Sequence, residues 1–199
     1  RSYVDGRSVS CQFRVVKRFG ALEGPHALLL CSHGKENMKV WPMIRVERAD
    51  GLTRVTIDRA DKANSLTGAM LAEIADVAQA AAADGTRVLV LTGAGKVFSA
   101  GADLEEARAG LAIDPVWERL STAIAALPCL TIAALNGTLA GGAFGMALAC
   151  DLRLAVPSAK FFYPVMKLGF LPQPSDPGRL AALVGPARAK MILMAGVKI

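Results

Sequence analysis

Histidine is missing from residues 43–199; the two in the chain, His26 and His33, both precede that stretch. A Ser–His or Cys–His nucleophile pair therefore cannot form within the long C-terminal portion. Cysteine is sparse and scattered. Cys11, Cys31, Cys129 and Cys150 form no CxxC pair and show no zinc-ligand spacing, which argues against a zinc ribbon and a thioredoxin-type centre. Cys129 and Cys150 stand in apolar runs and read as small buried hydrophobes, so reduced thiols and a cytoplasmic setting are expected. No uninterrupted apolar run reaches the ~18 residues that a membrane helix needs. The opening residues lack the charged start, apolar stretch and small-residue cleavage site of a secretory signal. Aromatic residues make up only 6% of the chain and are not interleaved with basic residues in a stripe, which argues against a nucleic-acid surface. HExxH, EF-hand and P-loop patterns are absent; Gly93-Ala94-Gly95 lacks both a third glycine at the required spacing and the lysine pattern of a P-loop. No metal site is expected.

The chain has 199 residues, 53% of them apolar and many of these alanine. That is enough for one domain with a substantial core and closely packed helices. The net charge of +6 is unevenly spread. Residues 1–42 hold seven Lys or Arg against three Asp or Glu, and the rest hold sixteen against fourteen. The C-terminal portion is thus nearly neutral. A few cations near a phosphate-bearing ligand would account for its small excess, and solvated surface charge is the plainer reading for most of them. Residues 1–42 also lack any sustained period and contain Gly20, Gly24-Pro25, Gly34 and Pro42. They read as an extension (a tag, an upstream misread or a disordered arm), with the natural start near Met43; a genuine N-terminal module is the alternative reading.

From Met43 onwards the pattern is regular. Two alternating runs, 44–49 and 52–58, flank Asp50-Gly51 and predict a hairpin. Thr67 can cap a helix with apolar positions Met70, Leu71, Ile74, Val77 and Ala78, ending near Gly85. Runs 88–91 and 130–135 predict buried strands, followed by loops at 93–102 and 136–142. Asp103 can cap a short helix through Arg108, and Asp114-Pro115 opens another to about Ala126. A helix to about Ala149, strands at 152–156 and 161–163, and helices from Asp176-Pro177 and Pro186 complete the reading. Strands alternating with helices imply an α/β fold with right-handed crossovers and a partly parallel stacked sheet.

Two segments carry the chemistry: Phe98-Ser99-Ala100-Gly101-Ala102-Asp103-Leu104 and Asn136-Gly137-Thr138-Leu139-Ala140-Gly141-Gly142-Ala143-Phe144-Gly145. Each follows a strand-like run and ends where a helix can begin, a place where backbone N–H groups point into open space. Two such turns that converge would stabilise negative charge developing on a carbonyl oxygen. The plain alternative is a pair of tight glycine turns that serve packing.

With Lys62-Ala63-Asn64-Ser65-Leu66 before them and Lys167-Leu168-Gly169-Phe170-Leu171-Pro172 after them, these segments resemble the crotonase, or enoyl-CoA hydratase/isomerase, family over residues 43–199. The resemblance implies a spiral of repeated ββα units. It implies a coenzyme A thioester as substrate, no tightly bound cofactor, and an oxyanion hole made by the N–H groups of Ala100 and Gly142. It places coenzyme A against Lys62, Ala63 and Asn64 and against Ala100, Gly101, Ala102, Asp103 and Leu104, with Gly141 in the facing turn. Phe144, Phe162, Val165 and Met166 suggest an apolar acyl pocket, and Gly145 is expected beside them in the substrate site. For Lys62 a solvated lysine, and for Asp103 a helix cap, are the plainer readings. Members usually continue into a further helical region that closes the pocket and supports trimer packing. The chain stops at Ile199 before that region, so a fragment of a longer protein, a homotrimer or hexamer when complete, is expected.

The sequence departs from the resemblance where acid–base chemistry belongs. Hydratases of the family carry glutamates at the places held here by Gly145 and by Val165 after Pro164. Other members take a carboxylate from the Pro-rich loop, where Gln173 stands. Asp176 and then Tyr163 are the best remaining proton-transfer candidates, each with a plainer reading as a helix cap and a packed aromatic; Glu105 and Glu106 read as solvated helix residues. The leading expectation is an acyl-CoA-handling enzyme that stabilises a thioester enolate. A non-catalytic acyl-CoA-binding homologue or assembly partner is the second reading. A decarboxylase or thioester hydrolase is the third.

Overall fold

The computed structural model describes residues 42–199. The expected N-terminal extension, with Cys11, Cys31, His26 and His33, lies outside the described residues. Strands β1 (Ile44–Ala49) and β2 (Leu52–Ile57) pair antiparallel, with Ile44 opposite Ile57. Asp50 and Gly51 connect them at φ 51° and 81°. These paired left-handed residues give a turn whose twist matches that of the strands.

Helix α1 (Gly68–Ala81) then crosses to β3 (Val88–Gly93), which runs parallel to β2. The Thr67 hydroxyl accepts the Met70 N–H at 3.2 Å and starts the helix. Its buried face, Met70, Leu71, Ile74, Ala75, Ala78 and Ala81, follows the helical period and seals the sheet.

From β3 onward the chain repeats one step: a strand in the large sheet, a short strand in a second sheet, then a helix. β3 is followed by β4 (Val97–Ser99), α2 (Leu104–Arg108) and α3 (Val116–Ala125). β5 (Leu130–Leu135) is followed by β6 (Thr138–Ala140) and α4 (Phe144–Ala149). β7 (Leu152–Ala155) is followed by β8 (Phe161–Phe162), α5 (Asp176–Val184) and α6 (Pro186–Leu193). The sheets are ordered β1-β2-β3-β5-β7 and β4-β6-β8, parallel throughout apart from the opening hairpin.

This is the α/β spiral of ββα units that the sequence led us to expect, with local corrections. β4 and β6 occupy stretches expected to be loops. Each has only three residues, too few to show a period, and each exists because the spiral stacks it on the next turn. The expected strand at 161–163 also ends one residue early, at Phe162, and the chain turns at Tyr163 into a 3-10 turn at Pro164–Leu168. Cys150 is buried as expected, whereas Cys129 is half-buried. No helix among the described residues is long and apolar enough to cross a membrane.

Candidate active site

The second sheet sets the site. β4 and β6 lie side by side, so the turns that leave their C-terminal ends meet. Gly101 adopts φ +95°, and a Cβ there would lie 2.9 Å from the Ala140 carbonyl oxygen and 3.3 Å from the Gly141 Cα. Only glycine permits both this backbone angle and this approach. The two turns converge as the sequence suggested.

Their donors are not the expected pair. The Ala100 N–H donates to the Ala63 carbonyl at 3.0 Å and is consumed inside the protein. Three residues after Ala63, Leu66 donates to the Gly101 carbonyl and accepts from the Asp103 N–H, each at 2.8 Å, forming a parallel bridge between Leu66 and Ala102. In such a bridge the N–H of Ala102 points away from Leu66. It has no acceptor in hydrogen-bond range among the described residues. Gly142 lies in the 3-10 turn Gly141–Ala143 that leads into α4, where the first N–H groups have no partner within the helix. Ala102 and Gly142 line the same apolar cavity of about 130 Å³. On this wall of the cavity the free N–H is that of Ala102 and not, as expected, that of Ala100.

Trp117, Phe162, Tyr163, Val165 and Phe170 also enclose this cavity. The Trp117 indole is anchored by a 2.7 Å bond from Nε1 to the Leu111 carbonyl, and its ring would stand 3.2 Å from a Cβ at Gly142. Three residues expected at the acyl pocket, Phe144, Gly145 and Met166, do not line it. Phe144 is buried and stacks on Tyr163, with ring centroids 5.1 Å apart and planes 17° apart. Met166 is exposed. Trp117 escaped the sequence reading because a tryptophan on an amphipathic helix looks like core; only the fold brings it under the glycine turn.

A second, open cleft of about 590 Å³ shares Ala100, Ala102 and Leu104 with the cavity and adds Arg59, Lys62, Ser65, Asp103 and Glu105. Arg59 was not foreseen. Its guanidinium donates to the Ser65 carbonyl at 3.1 Å, the Ser65 hydroxyl at 3.0 Å and Asp103 Oδ2 at 2.7 Å. Asp103 also caps α2 through Oδ1, which accepts from Glu105 and Glu106 N–H. Arg59 and these N–H groups hold the Asp103 carboxyl below its usual pKa. Asp103 is thus fully committed, and Lys62 is the cation in the cleft without an ion pair among the described residues.

Other expected residues hold the architecture together. Asn64 is fully buried at φ 54°. Its amide accepts from the Arg59 N–H at 2.9 Å and donates to the Ala94 and Val97 carbonyls at 2.9 and 2.7 Å. It latches the 59–65 loop to β4 and does not line the cleft; neither does Ala63, whose carbonyl meets Ala100. Glu106, expected to be solvated, reaches back to the first N–H of α1, at Gly68, at 2.7 Å. Gly145 is buried beneath Asp176, and Asp176 and Tyr163 are hydrogen-bonded to each other. Among the described residues no His, Cys, Asp and Glu side chains group as metal ligands.

A spiral of ββα steps, with two backbone turns meeting at an apolar cavity beside a cleft carrying a cation, defines an α/β protein of the crotonase class. The profile of enoyl-CoA hydratases/isomerases matches residues 47–199. The chain is 36% identical over 162 residues to a probable enoyl-CoA hydratase, echA6, of Mycobacterium leprae, covering 79% of this chain and 65% of that protein. It is 33% identical over 156 residues to the 1,2-epoxyphenylacetyl-CoA isomerase of Escherichia coli, covering 73% and 60%. A crystal structure of an enoyl-CoA hydratase from Mycobacterium avium subsp. paratuberculosis superposes with a TM-score of 0.72 at 36% identity, over 79% of this chain and 62% of that one. The chain belongs to the enoyl-CoA hydratase/isomerase family. It spans less than two thirds of the length of these relatives.

Proposed function

We propose that the protein binds acyl-CoA thioesters and polarises their carbonyl, with the N–H groups of Ala102 and Gly142 on the thioester oxygen. The acyl chain enters the apolar cavity, and the phosphate-bearing carrier lies in the open cleft past Lys62. The observation that carries this reading is the unspent Ala102 N–H at the wall common to both spaces. An enolate oxygen held by two fixed donors in an apolar enclosure is favoured by several kcal/mol over the same charge in water. Small side chains at Ala100, Gly101 and Gly141 let the backbone come that close.

A binding-only role is the second reading, favoured by Gly145 and Val165 at the positions where hydratases of the family carry glutamates. Calorimetric titration of the chain with butyryl-CoA, coenzyme A and butyrate tests the first part. The thioester should bind saturably and more tightly than coenzyme A, and butyrate should not compete. Equal affinity for butyryl-CoA and coenzyme A would contradict a carbonyl-gripping site.

A further inference from the structure

Among the described residues, one carboxylate has no exposure at all. Asp176, in the first turn of α5, is 0% exposed, and desolvation pushes its pKa up to about 6. The groups around it are few. The Tyr163 hydroxyl donates to Oδ2 at 2.6 Å. Arg179, one turn along the same helix, lends positive charge, although its own Nη1 is buried without a partner. Glu118 of α3 opposes ionisation, with its carboxylate engaged by the Ser175 hydroxyl and N–H. From α4 the neighbour is Gly145, which brings no charge. Oδ1 of Asp176 is buried and unpaired. A packing role would not call for an oxygen left in that condition.

Gly145 explains how the carboxylate fits. A Cβ at 145 would lie 3.1 Å from Asp176 Oδ1 and 3.6 Å from Oδ2. The Asp176 carboxylate therefore occupies the space into which a side chain at 145 would grow. Glycine at one position and aspartate at the other form a matched pair. Asp176 itself does not line the cavity; Tyr163 does, and it is the single ionisable side chain among the described residues that line it. Its ring is fixed by the stack on Phe144, and its oxygen is approached at 3.5 Å by the Gln173 N–H.

Resting on the acyl-CoA reading above, we propose that Tyr163 is the catalytic acid–base of this site and that Asp176 is its positioning residue and proton acceptor. As the Tyr163 oxygen takes a proton from the carbon beside the thioester carbonyl, its own proton passes to Asp176 Oδ2. One C–H bond breaks, and its electron pair enters the enolate held at Ala102 and Gly142. One O–H bond forms on Tyr163 as another is transferred to Asp176, so one carboxylate is neutralised for each enolate made. The reverse step returns a proton to carbon. No oxidant or co-reactant is required.

The test is hydrogen exchange at the α-carbon of butyryl-CoA in deuterated water, read by mass spectrometry, with binding measured alongside. The wild-type chain should bind and exchange, with the rate rising through about pH 6 as Asp176 ionises. Tyr163→Phe keeps the ring and its stack; it should lower exchange about 100-fold or more while affinity changes little. Asp176→Asn should also lower exchange and abolish the step in the pH profile. Wild-type exchange rates in Tyr163→Phe, a flat wild-type profile from pH 5 to 7, or binding without exchange would overturn the dyad and leave the binding reading standing. No binding by the wild-type chain would overturn both.

Discussion

Replacing Gly101 with alanine tests whether the meeting of the two turns is as close as described. The backbone at 101 has φ +95°, a conformation that costs an L-residue roughly 1–2 kcal/mol. The added Cβ would also lie 2.9 Å from the Ala140 oxygen, a backbone atom that cannot rotate away. Relieving that contact by shifting packed backbone costs about 1–3 kcal/mol. Together these predict a loss of about 3 kcal/mol, or a melting temperature lower by about 6–12 °C for a domain of this size. The same shift parts Ala102 from Gly142, so butyryl-CoA affinity should fall more than coenzyme A affinity. Gly178→Ala is the control: it stands exposed on α5 with ordinary φ and nothing within 4 Å, and should gain up to about 1 kcal/mol. A Gly101→Ala protein that melts with the wild type would refute the close approach and the site built on it.

Three further outcomes follow from particular groups. The native pKa of Asp176 is raised from 3.8 to about 6, so the folded state favours the neutral acid. Relative to Asp176→Asn, the wild type should lose on the order of 3 kcal/mol as pH rises from about 4 to 6, with little further change above, read by denaturant melts at each pH. Asn64→Ala strips partners from the Arg59 N–H and the Ala94 and Val97 carbonyls and leaves alanine at positive φ. It should cost about 3 kcal/mol or more in stability while the folded fraction keeps its ligand affinity, since Asn64 holds the loop and not the ligand. Lys62→Ala should weaken butyryl-CoA binding several-fold at low salt, with the difference from wild type shrinking at high salt as screening removes the charge contribution.

Much of the fold was legible because its larger parts obey local rules. The Asp50-Gly51 hairpin, the Thr67 cap and the buried stripe of α1 each follow from residues a few positions apart. β4 and β6 were not legible, since Val97-Phe98-Ser99 and Thr138-Leu139-Ala140 become strands only through neighbours one spiral turn away. The site divides the same way. That two glycine turns meet could be read from the sequence. Which N–H is free could not, because the bond from Ala100 to Ala63 depends on the loop that Asn64 and Arg59 hold in place. Asp176 was legible as a candidate but its packing against Gly145 was not. Its relation to Gly145 spans two helices distant in sequence, and only their packing reveals that one makes room for the other.

The central claim is that the amides of Ala102 and Gly142 hold one thioester oxygen, and the carbonyl stretch of bound butyryl-CoA reports on it most directly. With the carbonyl carbon labelled with carbon-13, infrared difference spectra should show the bound stretch at lower frequency than in water, as two fixed donors lengthen the bond. A ligand that is demonstrably bound yet keeps its free carbonyl frequency would contradict the account.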